Sequence, residues 1–430
     1  MEEWREVALG EIANVKGGKR LPSGATLTDS RTSHPYLRIV DFKDGGVDQS
    51  NLMYVPEEVF PKIKNYIVNS GDLYISIVGT IGLIGAIPTS LHHANLTENA
   101  AKICEFTADI DARFLSFFLR SQAGQEAIRS LTVGSTQPKL ALFRIKDIRV
   151  PLPPLPEQHA IAATLGALDD KIELNRRMCE TLESMARALF RDWFVDFGPT
   201  RAKMAGTAPY LAEDLWSLFP DRLDDEGKPK GWEAGTLNDV ADLNPESWAV
   251  KKAPRTVAYV DLANTKWGNI DKIEQYDWPD APSRARRILK PGDTIVGTVR
   301  PGNGSFSYVG EDGLTGSTGF AVLRAKSSRD RGYVWCAATS SENIERLTHL
   351  ADGGAYPAVR PEVVASTAVI LPSIRVREAF DNAVSIKLSL IEANKLESRT
   401  LAETRDLLLP RLMSGALRVT DAEHLLEEVL

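Results

Sequence analysis

Beyond residue 160 the apolar positions fall into a regular spacing. Ile161, Leu165, Leu168, Ile172, Asn175, Cys179, Leu182, Ala186, Leu189 and Trp193 follow one another in steps of four and three. This is the heptad period of a helix with a single apolar seam, kept up for about five heptads. The run Pro151-Leu152-Pro153-Pro154-Leu155-Pro156 ends whatever precedes it, and Glu157 supplies an acidic helix start. Gly198-Pro199 reads as the stop. Moving 219 residues on gives Phe380, Val384, Lys387, Ile391, Asn394, Ser398, Leu401, Arg405, Leu408 and Leu412, closed by Gly415. This second seam is poorer: Lys387, Ser398 and Arg405 interrupt it, while Leu388 and Leu390 widen it. At ~1.5 Å per residue each helix runs roughly 55 Å. Each alone leaves an apolar stripe bare, so the two are expected to pair. Asn175 and Asn394 stand at equivalent seam positions and meet mid-helix if the pair is antiparallel, where a polar residue fixes register; the alternative is that each faces solvent.

The helices are the tail of a longer repeat. Trp4, Leu9 and Ala13 recur as Trp232, Leu237 and Ala241, and Tyr36–Asp41 has a weaker echo in Ala258–Asp261. Gly71-Asp72 and Gly292-Asp293 each feed an apolar strand, and Gly134-Ser135-Thr136-Gln137-Pro138 matches Gly353-Gly354-Ala355-Tyr356-Pro357. The offset drifts from 228 to 219 along the first part and is constant from there on. Insertions therefore collect in the early loops, while the helical part is locked in length. The division is 1–150 and 232–372 as two α+β domains, 151–197 as a proline-rich lead-in and first helix, 198–231 as a polar linker with a short Leu211–Phe219 element, 373–415 as the second helix and 416–430 as a tail. Each domain precedes its helix, so antiparallel pairing holds the domains at opposite ends of a pseudo-twofold coiled coil.

Net charge is −7, which argues against non-specific phosphate binding. The distribution softens this: residues 1–150 carry 17 basic and 17 acidic residues, and 232–372 carry 16 and 17. Cys104, Cys179 and Cys336 are too scattered for a zinc site or a disulfide framework and fit a reducing cytoplasm. No signal peptide opens the chain, and the apolar stretch Leu73–Ile87, broken by three glycines, reads as a β-hairpin. There is no phosphate-loop motif, His92-His93 lacks a third ligand, and no metal or bound cofactor is expected.

Taken in order, several of these marks resemble the specificity subunit of Type I restriction–modification systems. They are Trp4-x4-Leu9-Gly10-Glu11-Ile12, Gly71-Asp72 with Gly79-Thr80-Ile81-Gly82, the Gly134–Pro138 loop, Pro151–Gln158 running into the helix, and Arg191-Asp192-Trp193-Phe194. The resemblance covers nearly the whole chain. It implies a non-catalytic adaptor with two target-recognition domains, each reading half of a bipartite, asymmetric site on double-stranded DNA. The helix pair is then a spacer and the dock for two methyltransferase subunits that bring S-adenosylmethionine. A restriction motor–nuclease bringing ATP and Mg joins them, and no membrane is involved. The competing reading is a coiled-coil scaffold that joins proteins without reading DNA.

Base reading needs Arg or Lys on guanine and Asn or Gln on adenine, with further cations on phosphates. Lys16, Lys19 and Arg20 lie around Gly17-Gly18, either as a phosphate-approaching turn or as a solvated one. Arg38 sits among apolar strand residues and either pairs with a carboxylate or reaches a groove. Gln137 and Lys139 lie in the duplicated loop, whose second copy carries Tyr356 and Arg360. Arg284, Arg286, Arg287 and Lys290 form the densest basic run, and Arg300 follows the strand after Gly292-Asp293.

Overall fold

The structure, a computed structural model, describes residues 4–43, 45–134, 138–249 and 252–422. Two units divide the chain: Met1–Leu174 with Glu397–Leu430, and Asn175–Leu396. Each therefore holds one α+β domain and a half of each long helix.

In the first unit the opening strand Arg5–Ala8 pairs antiparallel with Arg149–Leu152, the strand just before the long helix. A four-stranded antiparallel sheet follows, ordered Asn14–Gly17, Ala100–Cys104, Leu73–Ser76, Ile84–Ala86. Leu73–Ile87 is thus the expected hairpin, with Leu73, Ile75 and Ile84 buried beneath the helices Ala112–Arg120 and Gln122–Leu131. A small sheet ordered Met53–Tyr54, Pro35–Leu37, Asn95–Leu96 has one antiparallel and one parallel pairing.

The second unit repeats this frame. Glu233–Thr236 pairs with Ala368–Leu371, and Ala241–Leu243, Phe320–Ala325, Thr294–Gly297 and Phe306–Tyr308 form the antiparallel sheet. The mixed sheet is larger here: Glu274–Asp277, Thr256–Val260, Leu314–Ser317, Ala285–Ile288, with the parallel pair in the corresponding place. Even a buried ion pair is duplicated. Asp72 accepts from Asn69 N and from Lys102, and Asp293 accepts from Lys290 N and, at 2.8 Å on each oxygen, from Arg324. Each carboxylate locks the turn that launches the central hairpin.

The long helices are Leu155–Phe194 and Ile374–Met413, each 40 residues or about 60 Å. They pack together antiparallel. In the first unit Asp169 meets Arg405 at 2.7 Å and Lys171 meets Glu397 at 3.1 Å. In the second unit the Asn175 amide nitrogen lies 3.5 Å from the Asn394 carbonyl oxygen, and Cys179 Sγ lies 3.6 Å from that of Ile391. Asn175 and Asn394 are both buried and face the seam. Two expectations change. Leu388, not Lys387, fills the core, and Lys387 turns back onto the Ala383 carbonyl, whereas Leu390 is exposed. Gly198-Pro199, read as a stop, opens a new helix, Gly198–Met204, because proline at the first helical turn has no amide to satisfy. The first long helix has already ended at Phe194, and the Leu211–Phe219 element is the helix Glu213–Ser217.

Each domain is clamped to its helix by a side chain at the same place in the repeat. Gln158 is fully buried; its Nε2 donates to the carbonyls of Asp109 and Pro153, and its Oε1 accepts from Asp111 N, all at 2.9 Å. Asp111 in turn caps the helix Ala112–Arg120 through Phe114 N. In the second unit Arg377 stands there instead and binds Asp330 at 2.6 Å.

Candidate nucleic-acid interface

The basic turn of the first unit owes Gly18 to its own backbone. A Cβ on Gly18 would lie 2.0 Å from the Thr97 carbonyl oxygen. The amides of Gly18 and Lys19 are spent on the carbonyls of Ala100 and Leu96, so this turn does not cradle an anion with free N–H groups. Its side chains do reach solvent. Lys16 pairs with Glu105, Arg20 with Glu98 at 2.7 Å, and the Lys19 ammonium lies 5.6 Å from the centre of the Tyr66 ring. The Lys16–Glu105 hydrogen bond pushes the lysine pKa up and the carboxyl pKa down. A polar hollow of about 390 Å³ lies between Lys16, Tyr66 and Lys102.

Arg38 is placed differently from its sequence context. The strand stops at Leu37, and Arg38 begins the 3-10 turn Ile39–Asp41. Its guanidinium holds both oxygens of buried Asp41, at 3.0 and 2.7 Å, and the carbonyl of Asn51. This is the carboxylate-paired alternative, and it leaves few donors for a base. Lys139 exchanges backbone hydrogen bonds with Val133 in the duplicated loop; Gln137 lies outside the described residues.

In the second unit the structure draws several candidates together. Arg300 N donates to Pro357 O and Val359 N to Thr298 O, lacing the segment after Thr294–Gly297 to the duplicated loop. Arg300 lies over the exposed Tyr356 ring, 4.6 Å from its centre, and its Nη2 donates to Ala355 O at 2.7 Å. The neighbouring turn joins this edge to the basic run, since Thr318 N donates to Arg284 O and Thr298 N to Gly319 O. Arg284 is exposed. Arg286 covers the Trp278 ring at 4.7 Å. Arg287 is half-buried; Nη1 reaches Ser247, no hydrogen-bond partner is present for Nε, and burial pushes its pKa down. Lys290 is held by Glu246. Arg360 is exposed at the start of the helix Pro361–Ala365.

Arg300 has a left-handed backbone, φ +47°. The first unit's matching residue is Gly79, φ +79°, and the match is fixed by paired bridges: Val78 to Lys139 and Val299 to Ala358. Glycine takes this conformation freely, whereas arginine is strained in it. A strained, exposed cation stacked on an exposed aromatic is the sort of side chain functional surfaces retain. Sequence reading also missed Trp267, which is 58% exposed with φ +47° on the hairpin Thr265–Lys266/Asn269–Ile270. Its only signal was Gly268 following an aromatic.

Among the described residues no cluster of His, Cys, Asp and Glu could hold a metal, and no helix is long and apolar enough to cross a membrane. His92 is occupied locally, its Nδ1 accepting from Ser70 N.

Comparison with known proteins adds to this geometry. Residues 1–184 match the family described as the Type I restriction modification DNA specificity domain. The chain is 24% identical over 324 residues to the MjaIX specificity subunit of Methanocaldococcus jannaschii, covering 72% of this chain and 70% of that one. It is 23% identical over 483 residues to the HindI specificity subunit of Haemophilus influenzae, covering 96% and 100%. Its fold is shared with the crystal structure of a Type I restriction–modification S subunit from M. genitalium, with a TM-score of 0.56, 15% identity and 95% and 96% of the two chains covered.

Proposed function

We propose that this chain, whose residues 1–184 match the Type I restriction modification DNA specificity domain, is a specificity subunit that reads a two-part, asymmetric site on double-stranded DNA, one part with each unit. The observation that carries this reading is one strand frame, used twice, bearing unlike surface side chains. Where the first unit has Gly79, the second has Arg300 stacked on Tyr356. Two different readers make two different half-sites.

In the second unit the reading edge is Arg300 with Tyr356, flanked by Arg284 and Arg360. Arg300 is the proposed contact to guanine O6 and N7 in the major groove, a reading supported by its exposure and by the Tyr356 ring it lies over. Arg286, Arg287 and Lys290, engaged with Trp278, Ser247 and Glu246, support that edge or touch phosphate. In the first unit Lys16, Lys19, Arg20 and Lys139, with Gln137, are the contact set, and Arg38 holds its loop in place. The chain itself performs no reaction. Methyltransferase subunits, two per chain, supply S-adenosylmethionine and the chemistry at adenine, and restriction subunits supply ATP- and Mg-dependent cleavage. Those partners also bring the phosphate contacts that a chain of net charge −7 lacks.

The test is adenine-methylation mapping in cells with and without this chain, followed by binding assays on the assembled methyltransferase. A two-part motif is expected to vanish on deletion. Arg300→Ala is expected to cost about 1–3 kcal/mol at one position of one half-site and to relax the base preference there. Equal weakening on every sequence would make Arg300 a phosphate contact, and no motif at all would remove the reading.

A further inference from the structure

The second unit contains a cleft of about 670 Å³ that its counterpart in the first unit explains. The helices Ala112–Arg120 and Arg331–Ala338 begin 219 residues apart. The serines capping the helices that follow them, Ser121 on Gly124 N and Ser340 on Asn343 N, keep that offset. Cys336 and Ala337 therefore stand where the first unit has Phe117 and Phe118, which are 2% and 4% exposed in its core. On the facing long helices the exchange runs the other way: Phe190 and Phe194 correspond to Leu409 and Met413. At these positions aromatic mass has moved from the domain to the long helix, although buried Trp335 stands where the first unit has Ser116, and the swap does not conserve the filled space. Cys336, Ala337, Phe190, Phe194, Val369 and Ile370 line what is left open.

Protein interiors are close-packed, and a mostly apolar hollow of this size is the usual form of a binding site. Its charged groups say what fits. Arg187, Arg191 and Arg346 line it with Glu342; Glu183 pairs with Arg187 at 2.7 Å and Glu342 and Asp196 pair with Arg191, whereas Arg346 bonds to the neutral Asn343, Val363 and Thr367. Arg187 and Arg346 are fixed by hydrogen bonds to Thr339 and to Asn343 and Thr367, so their charge is held in place, while Arg191 is largely exposed. Apolar walls that lack the first unit's Phe117 and Phe118 phenyls, with the Arg346 guanidinium bonded to neutral groups and the Arg191 guanidinium exposed at the rim, complement an aromatic side chain with a carboxylate beside it. We propose that this cleft seats, once per chain, an aromatic anchor of an acidic segment of a partner polypeptide. The proposal does not depend on DNA reading. Because the first unit fills the matching space with its own Phe117 and Phe118, the seat breaks the equivalence of the two repeats.

The test uses the full chain and the peptide acetyl-Asp-Phe-Phe-Asp-amide, titrated by calorimetry. One saturable site is expected, at least tenfold weaker for the peptide with alanine in place of phenylalanine and weaker at high salt. Ala337→Phe, which restores the first unit's residue, is expected to melt no lower than the parent and to bind at least tenfold more weakly. Arg191→Glu, a change at an exposed position, is expected to weaken binding without moving the melting temperature. The proposal is overturned by absence of saturable binding, by undiminished affinity in a folded Ala337→Phe chain, or by phenylacetate binding as tightly as the peptide, which would make the cleft a small-molecule site.

Discussion

Gln158 offers the sharpest test of how a domain is held to its helix. Its side chain is fully buried and satisfies three backbone groups at 2.9 Å: the carbonyls of Asp109 and Pro153 and the amide of Asp111. In Gln158→Ala all three lose their partner. A buried polar group left unpaired costs ~1–3 kcal/mol, and some of that is recovered where the cavity admits water, so the expected loss is about 3 kcal/mol. For a unit of this size that lowers the melting temperature by roughly 6–12 °C. Gln158→Glu separates hydrogen bonding from packing. It keeps the shape and the acceptor for Asp111 N but sets a carboxylate against two carbonyl oxygens. Its folded-state pKa is therefore raised above the unfolded value of about 4.3. Stability is retained below that value and lost as pH rises through the folded pKa, so the Glu variant is worse than Ala at pH 7 and recovers toward pH 4. Urea denaturation across pH measures this, with hydrogen exchange at the Asp111 and Phe114 amides reporting the loosened cap. A loss below about 0.5 kcal/mol in Gln158→Ala, or a Glu variant as stable as Ala at pH 7, would refute the clamp.

Two further outcomes follow from the helix pair. Replacing both Asn175 and Asn394 with leucine is expected to raise the stability by about 1–3 kcal/mol, since two seam positions become apolar; a lower melting temperature would place them outside the seam's apolar packing. Asp169 is partly desolvated, which alone would raise its pKa, but Arg120 and Arg405 at 2.8 and 2.7 Å outweigh this and hold it below the usual carboxylate range. Its contribution is present above the unfolded aspartate pKa of about 3.9 and disappears as pH falls through the folded value. Asp169→Asn should therefore cost roughly 2–4 kcal/mol at pH 7 and flatten the acid limb of the stability curve. Parallel acid limbs in the two proteins would contradict that.

The seam, the duplicated domains and the central hairpin were legible in the sequence because each rests on a short period or a repeated turn. The helix pair misled at Lys387 because an ideal helix drifts about 20° per heptad, which brings Leu388 inward. Proline deceived at Pro199, where the same missing amide that ends one helix starts another. The interface was less legible. Cations were easy to find, but their partners were not: Glu105 lies 89 residues from Lys16, and Glu246 lies 44 from Lys290. The stacking of Arg300 on Tyr356 spans a comparable gap. Arg38 differs in that its carboxylate is only three residues away, yet the sequence left pairing and groove contact both open.

The strand pair that closes each domain carries a consequence for heredity. Arg5–Ala8 lies against Arg149–Leu152, and Glu233–Thr236 against Ala368–Leu371. Chain enters and leaves each domain through neighbouring strands, which sit only about 5 Å apart. Along the chain, everything between those two strands is an insertion ahead of the long helix, which it grips at Gln158 in the first unit and Arg377 in the second. A crossover that falls in the doorway strands could exchange one reader for another of different length without stretching or shifting the helix that follows. The fold thereby gives recombination two clean joints for each domain, and, on the proposed reading, a lineage could acquire a new half-site in one event while keeping the other.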